Sequence, residues 1–385
     1  MEAKRIIKIN IYMILITAVF SPIIAYVFMG VLFAVIVLFK QGFDVLVNIK
    51  NDKILLILLG LVVVTSFMSE MWYISIFFAG IFIIKVLFSQ AVSIYLNDRD
   101  IRMIFIVVLA CGIIVSIIGL LQLTRGNIEM PASWVDSSIY QVRFRVYSTF
   151  FNPNVFAGFL NLVIITAIIV MIYENKKAMK ILGALTLSVS LICFLFTYSR
   201  GGWISLCLSL IIASLFERKL IKYCVILIVL FLSFDYFSDV GRLLPDNILK
   251  DSSIKYRFEI WLSSIKIFLN NWLFGIGSGT SWYYVEQYSQ VVNSYVKHAH
   301  NLYLQVMMDV GIIGVIFYSI FYCQIWNKIK NNLFNSSKKG ILNTVSFIFY
   351  VSLLCFGLID VVTSYFQLSI YVWFLIGTNN FTKKI

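Results

Sequence analysis

The chain has 385 residues, 61% hydrophobic and only 13% charged, with a mean hydropathy of +0.93 and a formal net charge of +13. A soluble domain carries about a quarter charged residues, so this composition excludes an ordinary soluble enzyme and requires lipid as solvent. The chain is expected to form one membrane domain, residues 1–385, with no soluble domain set apart.

The N-terminal MEAKRIIK followed by apolar Ile9–Phe20 has the layout of a signal peptide. No small-x-small cleavage site follows, so it is read as a retained first helix. Apolar runs of membrane-crossing length fall at 6–20, 23–40, 54–68, 72–95, 103–123, 153–173, 181–197, 203–216, 223–236, 302–326, 341–359 and 362–378. That predicts an all-α polytopic protein of twelve spans. Two polar stretches, 124–152 and 237–301, are too long for simple turns. All six cysteines lie inside apolar runs and read as small buried hydrophobes, with no disulfide framework.

Charge orients the spans. With the N-terminus cytoplasmic, twenty of the 31 lysines and arginines fall inside, ten outside and Lys85 within a span. Each short inner loop then carries at least two cations, as the positive-inside rule requires. The basic excess faces anionic lipid and needs no nucleic acid. Both long loops become extracytoplasmic, where ATP and nucleotide-sugars are absent, so chemistry there needs a substrate that arrives activated.

The outer side carries the chemistry-bearing residues. Arg143 and Arg145 stand in QVRFRVYSTFFNPN, Arg200 in YSRGGW, Arg257 in KYRFEIW, and His298 and His300 in HAHN. These are the chain's two histidines. Gly201 and Gly202 are expected to make the hairpin turn, leaving Arg200 surplus to turn chemistry. Headgroup snorkelling and a functional role both stay open for it. Residues 251–280 read as an interfacial amphipathic helix, capped by Asp251 or Ser252. It ends in GIGSG, either a plain loop or an anion cradle. The HxH pair could ligate a metal, but no third histidine or loop cysteine completes a site. An imidazole beside arginines stays neutral and can accept a proton. General base and simple interface marker both remain open. Lys85 and Asp309, both within spans, are candidates to pair.

Four stretches together resemble the O-antigen ligase and polymerase superfamily of bacterial surface polysaccharide assembly. They are STFFNPNVFAGFL (Ser148–Leu160), YSRGGWIS (Tyr198–Ser205), YRFEIWLSSIKIFLNNWLFGIGSG (Tyr256–Gly279) and HNLYLQVMMDVGIIG (His300–Gly314). The resemblance covers 148–314. It implies a GT-C-like, metal-independent, inverting membrane glycosyltransferase without cofactor, acting on a glycan carried by undecaprenyl pyrophosphate. It implies Arg200 and Arg257 at the pyrophosphate and His300 as base on the acceptor hydroxyl. Arg145, Arg143, Asn154, Asn301 and His298 are expected to line the pyrophosphate or glycan. The implied partners are the lipid-linked donor, a sugar acceptor, membrane lipid, a flippase and a chain-length regulator. The implied location is the bacterial inner membrane, with both termini cytoplasmic and the site on the outer face. A polymerase of repeat units is the leading expectation, and a ligase to lipid A-core the second. A transporter is the alternative of another class, although no internal repeat supports it.

Overall fold

The computed structural model describes residues 2–39, 43–124, 142, 144–238, 245–289, 296, 298–334 and 340–379. Among these residues every regular element is a helix. In chain order they are α1 (Glu2–Phe20), α2 (Pro22–Leu38), α3 (Phe43–Asn51), α4 (Lys53–Met68), α5 (Trp72–Tyr95), α6 (Asp98–Thr124), α7 (Pro153–Tyr173) and α8 (Lys177–Leu195). There follow α9 (Arg200–Ser214), α10 (Leu220–Phe237), α11 (Pro245–Lys250), α12 (Ser252–Asn270), α13 (Ser281–Tyr288), α14 (Leu302–Phe334), α15 (Ile341–Gly357) and α16 (Phe366–Asn379). A short 3-10 turn, Val362–Ser364, precedes the last helix.

Each of the twelve apolar runs lies on a helix, and the chain is a membrane protein. Among the described residues, six helices are long and apolar enough to cross a bilayer alone, or seven if the bent pair α2 and α3 counts as one span. That is fewer than twelve. Length accounts for much of the difference: the 15 residues of α9 reach about 22 Å against a hydrocarbon core of about 30 Å. Likewise α4 and α15 are apolar but short.

The chain divides into two compact units. The first comprises Met1–Ile101, Arg257–Asn331 and Ser369–Ile385. In it α5 packs against α1, α2, α3 and α4. The phenol of Tyr371 on α16 donates to the Leu15 carbonyl of α1 at 2.6 Å. Lys8 reaches Asp100 at 2.5 Å, and Tyr12 donates to the Asp100 carbonyl. On α12 the buried positions are Ile260, Ser263, Ser264 and Ile267, whereas Phe258, Leu262, Ile265 and Leu269 are exposed. The predicted apolar stripe thus points outward, as a helix bathed in lipid would have it.

The second unit comprises Arg102–Tyr256 and Asn332–Leu368. Its centre is α7, apolar all round and buried from Val155 to Val170, with α8, α9 and α15 packed on it. A helix apolar on every side belongs in a core. The NPN tripeptide starts it. Asn152 accepts from the Asn154 and Val155 amides, and Pro153 takes the first position, where it costs no hydrogen bond. Deeper in the same helix the Asn161 amide donates to Ser205 and Ser352 hydroxyls, both at 3.0 Å, joining α7 to α9 and α15.

Gly201 and Gly202 do not make the hairpin turn. They lie in the first turn of α9, and Tyr198 makes the reversal with φ 48°. A β-carbon on Gly202 would stand 2.9 Å from Cβ of Ala157, and one on Gly201 2.8 Å from the Phe356 ring. The glycines are therefore the price of close contact between α9 and its neighbours α7 and α15.

Candidate active site

In the second unit the arginines are held by a buried polar network. Arg145, 5% exposed, donates from Nε to the Thr197 carbonyl at 2.8 Å and from its guanidinium to Asn154 Oδ1 at 2.9 Å. The same Asn154 oxygen accepts from the Ser199 hydroxyl at 3.0 Å, and the Asn154 amide donates to Asp360 at 2.7 Å. Ser199 in turn caps α9, accepting from the Gly202 amide. Asn154 therefore connects the start of α7, the start of α9 and the segment after α15.

Arg200 is the first residue of α9, and its guanidinium meets the buried carboxylate of Asp251 at 2.6 Å. A cation at a helix N-terminus opposes the helix dipole, and Asp251 offsets that cost. Asp251 also caps α12, accepting from the Ser253 amide at 2.9 Å. Burial pushes its carboxyl pKa up, but the Ser253 hydrogen bonds and the Arg200 charge outweigh burial and hold it below the usual carboxylate range. The Arg200 side chain keeps 14% exposure.

In the first unit, Trp261 on α12 donates to the His300 carbonyl at 3.4 Å. Arg257 stands one helical turn before Trp261, on the same face. His298 and His300 rings are edge to face with centroids 4.4 Å apart, and the His300 amide points at Nδ1 of His298. Asn301 caps α14, its Oδ1 accepting from the Tyr303 and Leu304 amides. Gln305 lies one turn inside α14 and accepts from the Ala299 amide between the two histidines.

What holds this segment is a break in α14. Gly311 has φ 62° and ψ −170°, so the helical ladder is interrupted there. The loop after α12 fills the gap. Ile276 and Gly277 amides donate to the Met308 and Asp309 carbonyls, and the Ile312 and Ile313 amides donate to Trp272 and Leu273. These four backbone bonds supply partners for the broken ladder. A β-carbon on Gly311 would lie 2.4 Å from the Leu273 carbonyl group, and one on Gly275 2.4 Å from the Met308 oxygen. The GIGSG amides of Ile276 and Gly277 are thus committed to α14 and are not an anion cradle. Residues 312–334 alone run about 34 Å, enough to cross a bilayer.

One further expectation is corrected, and another falls outside the described residues. Asp309 accepts from the Gln305 amide at 2.8 Å rather than pairing with Lys85. Arg143, and most of the outer stretch 124–152, lie outside the described residues. Sequence reading missed Asp360 and Gln305, and gave Asp251 only a capping role. Asp360, alone between two apolar runs, was the signal.

Among the described residues, four that are not glycine have left-handed backbone: Ser148 and Phe151, Tyr198, and His300. All four fall in the segments STFFNPN, YSRGGW and HNLYL. Such backbone costs about 1–3 kcal/mol per residue and gathers at functional sites.

Residues 185–319 match the model of the O-antigen ligase family. The matched stretch contains Arg200, Arg257, His298, His300 and Asn301, and begins after Arg145 and Asn154. No curated protein matches the chain.

Proposed function

We propose that this chain, whose residues 185–319 match the model of the O-antigen ligase family, polymerises oligosaccharide repeats carried on undecaprenyl pyrophosphate into surface polysaccharide. The observation that carries the reading is the strain pattern: the left-handed residues sit in the stretches QVRFRVYSTFFNPN, YSRGGW and HNLYL, which bear Arg145, Arg200 and His300.

In this reading the site faces the extracytoplasmic side of the bacterial inner membrane, within a GT-C-like bundle of twelve spans with both termini inside. Arg200 and Arg257 fork the pyrophosphate of the donor, with Arg145 and Arg143 adding positive charge and Asn154 orienting Arg145. Guanidinium pairs suit phosphate geometry and neutralise the charge that develops as the pyrophosphate leaves. His300 takes the proton of the acceptor hydroxyl, a contribution of roughly 10²–10⁴-fold, while Asn301 and His298 line the glycan. The hydroxyl oxygen attacks the anomeric carbon from the face opposite the pyrophosphate. The C–O bond to phosphate breaks, and configuration inverts. The lipid pyrophosphate departs with the bonding electron pair. No metal or cofactor is assigned a role.

The family description favours a second reading, transfer of the finished glycan to lipid A-core. Incubating the purified protein, in EDTA, with a lipid-linked repeat alone separates the two. A ladder on a gel supports the polymerase; product only after lipid A-core is added supports the ligase. Absence of either product would favour a transporter, and a requirement for restored divalent ion would remove the metal-free mechanism.

A further inference from the structure

We infer that Gln305 is a positioning residue for His300, an assignment that rests on His300 acting as base. Gln305 is buried, and its amide is surrounded on both ends. The Oε1 atom accepts from the Ala299 amide at 2.8 Å, and Nε2 donates to the Ser281 hydroxyl at 2.6 Å and to Asp309 Oδ1 at 2.8 Å. Only one orientation of the amide satisfies this set, because the Ala299 N–H can face nothing but an oxygen, and the Asp309 carboxylate calls for a donor.

The bond to Ala299 matters because of what surrounds it. Ala299 is the residue between His298 and His300, and its own side chain is fully buried. His300 has φ 48°, a conformation that a residue with a β-carbon leaves unless its neighbours fix it. Its carbonyl is held by Trp261 from one side, its N–H points at Nδ1 of His298, and Gln305 fixes the His298–Ala299 peptide just before it. Gln305 is itself fixed by Ser281 at the start of α13 and by Asp309, whose carbonyl oxygen takes the Gly277 amide at the break in α14. The chain of contacts runs from the broken helix to the peptide beside the imidazole. It gives Asp309 a task unrelated to Lys85: anchoring Nε2 so that Oε1 stays on Ala299.

The test measures kcat and KM with a lipid-pyrophosphate-linked repeat purified from the source cells, together with the amount of protein in the membrane. Gln305→Met keeps the length of the side chain and removes every hydrogen bond. Its kcat should fall by roughly 10–100-fold, the scale of a misplaced catalytic group, with KM unchanged. Wild-type kcat, or a raised KM at constant kcat, would overturn the inference. If Gln305→Met does not accumulate in the membrane, Ser281→Ala carries the test, since it removes one anchor of Nε2 and leaves Ala299 bonded. A several-fold lower kcat supports the inference and a wild-type kcat overturns it. His300→Ala serves as the control for the underlying reading. If it stays active the base assignment fails, and Gln305 has nothing to position. If it is inactive while Gln305→Met is fully active, the inference on Gln305 alone fails.

Discussion

His300 spends conformational energy: left-handed backbone costs an L residue roughly 1–2 kcal/mol that glycine does not pay. His300→Gly should therefore unfold at a higher temperature than His300→Ala while making no polymer, since both lack the imidazole. Equal thermal midpoints would mean that the strain is not real. Arg200 and Asp251 make a different prediction. The carboxyl pKa of Asp251 lies below its unfolded value, so the pair adds stability that is complete above the unfolded pKa and is lost as pH falls through the folded one. Asp251→Asn should thus cost stability at pH 7, toward the lower end of the about 3–5 kcal/mol for breaking a buried pair, because Arg200 keeps some exposure. The gap to wild type should hold down to about pH 5 and narrow below about pH 4, near the ordinary carboxylate value. Thermal unfolding in detergent across that range checks it. His300 and Arg200 stand out in sequence because histidine is scarce and an arginine in a short hairpin is conspicuous. Asp251 and Asp360 do so less, since a lone carboxylate near a helix end reads as ordinary capping until its partner, far away in sequence, is seen. Gln305 does not, since one amide in an apolar helix carries no sign of the Ala299 N–H and Ser281 hydroxyl it bonds.

At the scale of elements, the twelve apolar runs each pointed to a helix. They could not show that α14 breaks, because Met308–Gly314 stays apolar enough to continue a helix, and the bonds that fill the gap come from residues more than 30 positions away. The glycines had two purposes that look alike in sequence. Those at 201 and 202 permit close helix packing, whereas Gly311 adopts a backbone that other residues avoid. Gly311→Ala should lower stability by about 2 kcal/mol or more, from the left-handed penalty plus the collision with the Leu273 backbone. Gly60→Ala in α4, where a β-carbon meets nothing within 4 Å, should be neutral or stabilising by up to about 1 kcal/mol. Thermal midpoints of the two variants compare them directly; a mild effect at 311 would deny the interlocked loop its part in holding the histidine segment.

For the molecule as a whole, composition identified a membrane protein, because lipid imposes a length rule that sequence must obey. The number of crossings was less legible: hydropathy finds apolar runs, but whether a 15-residue helix such as α9 crosses or stops depends on packing. The account of function rests on arginines and a histidine acting on one lipid pyrophosphate. The most direct measurement is the release of undecaprenyl pyrophosphate by purified protein given a lipid-linked repeat, for wild type, His300→Ala and Arg200→Lys. Release coupled to glycan growth in wild type, with a loss of at least about 10²-fold in His300→Ala and no rescue by lysine at 200, is the expected result. Undiminished release from His300→Ala would contradict it.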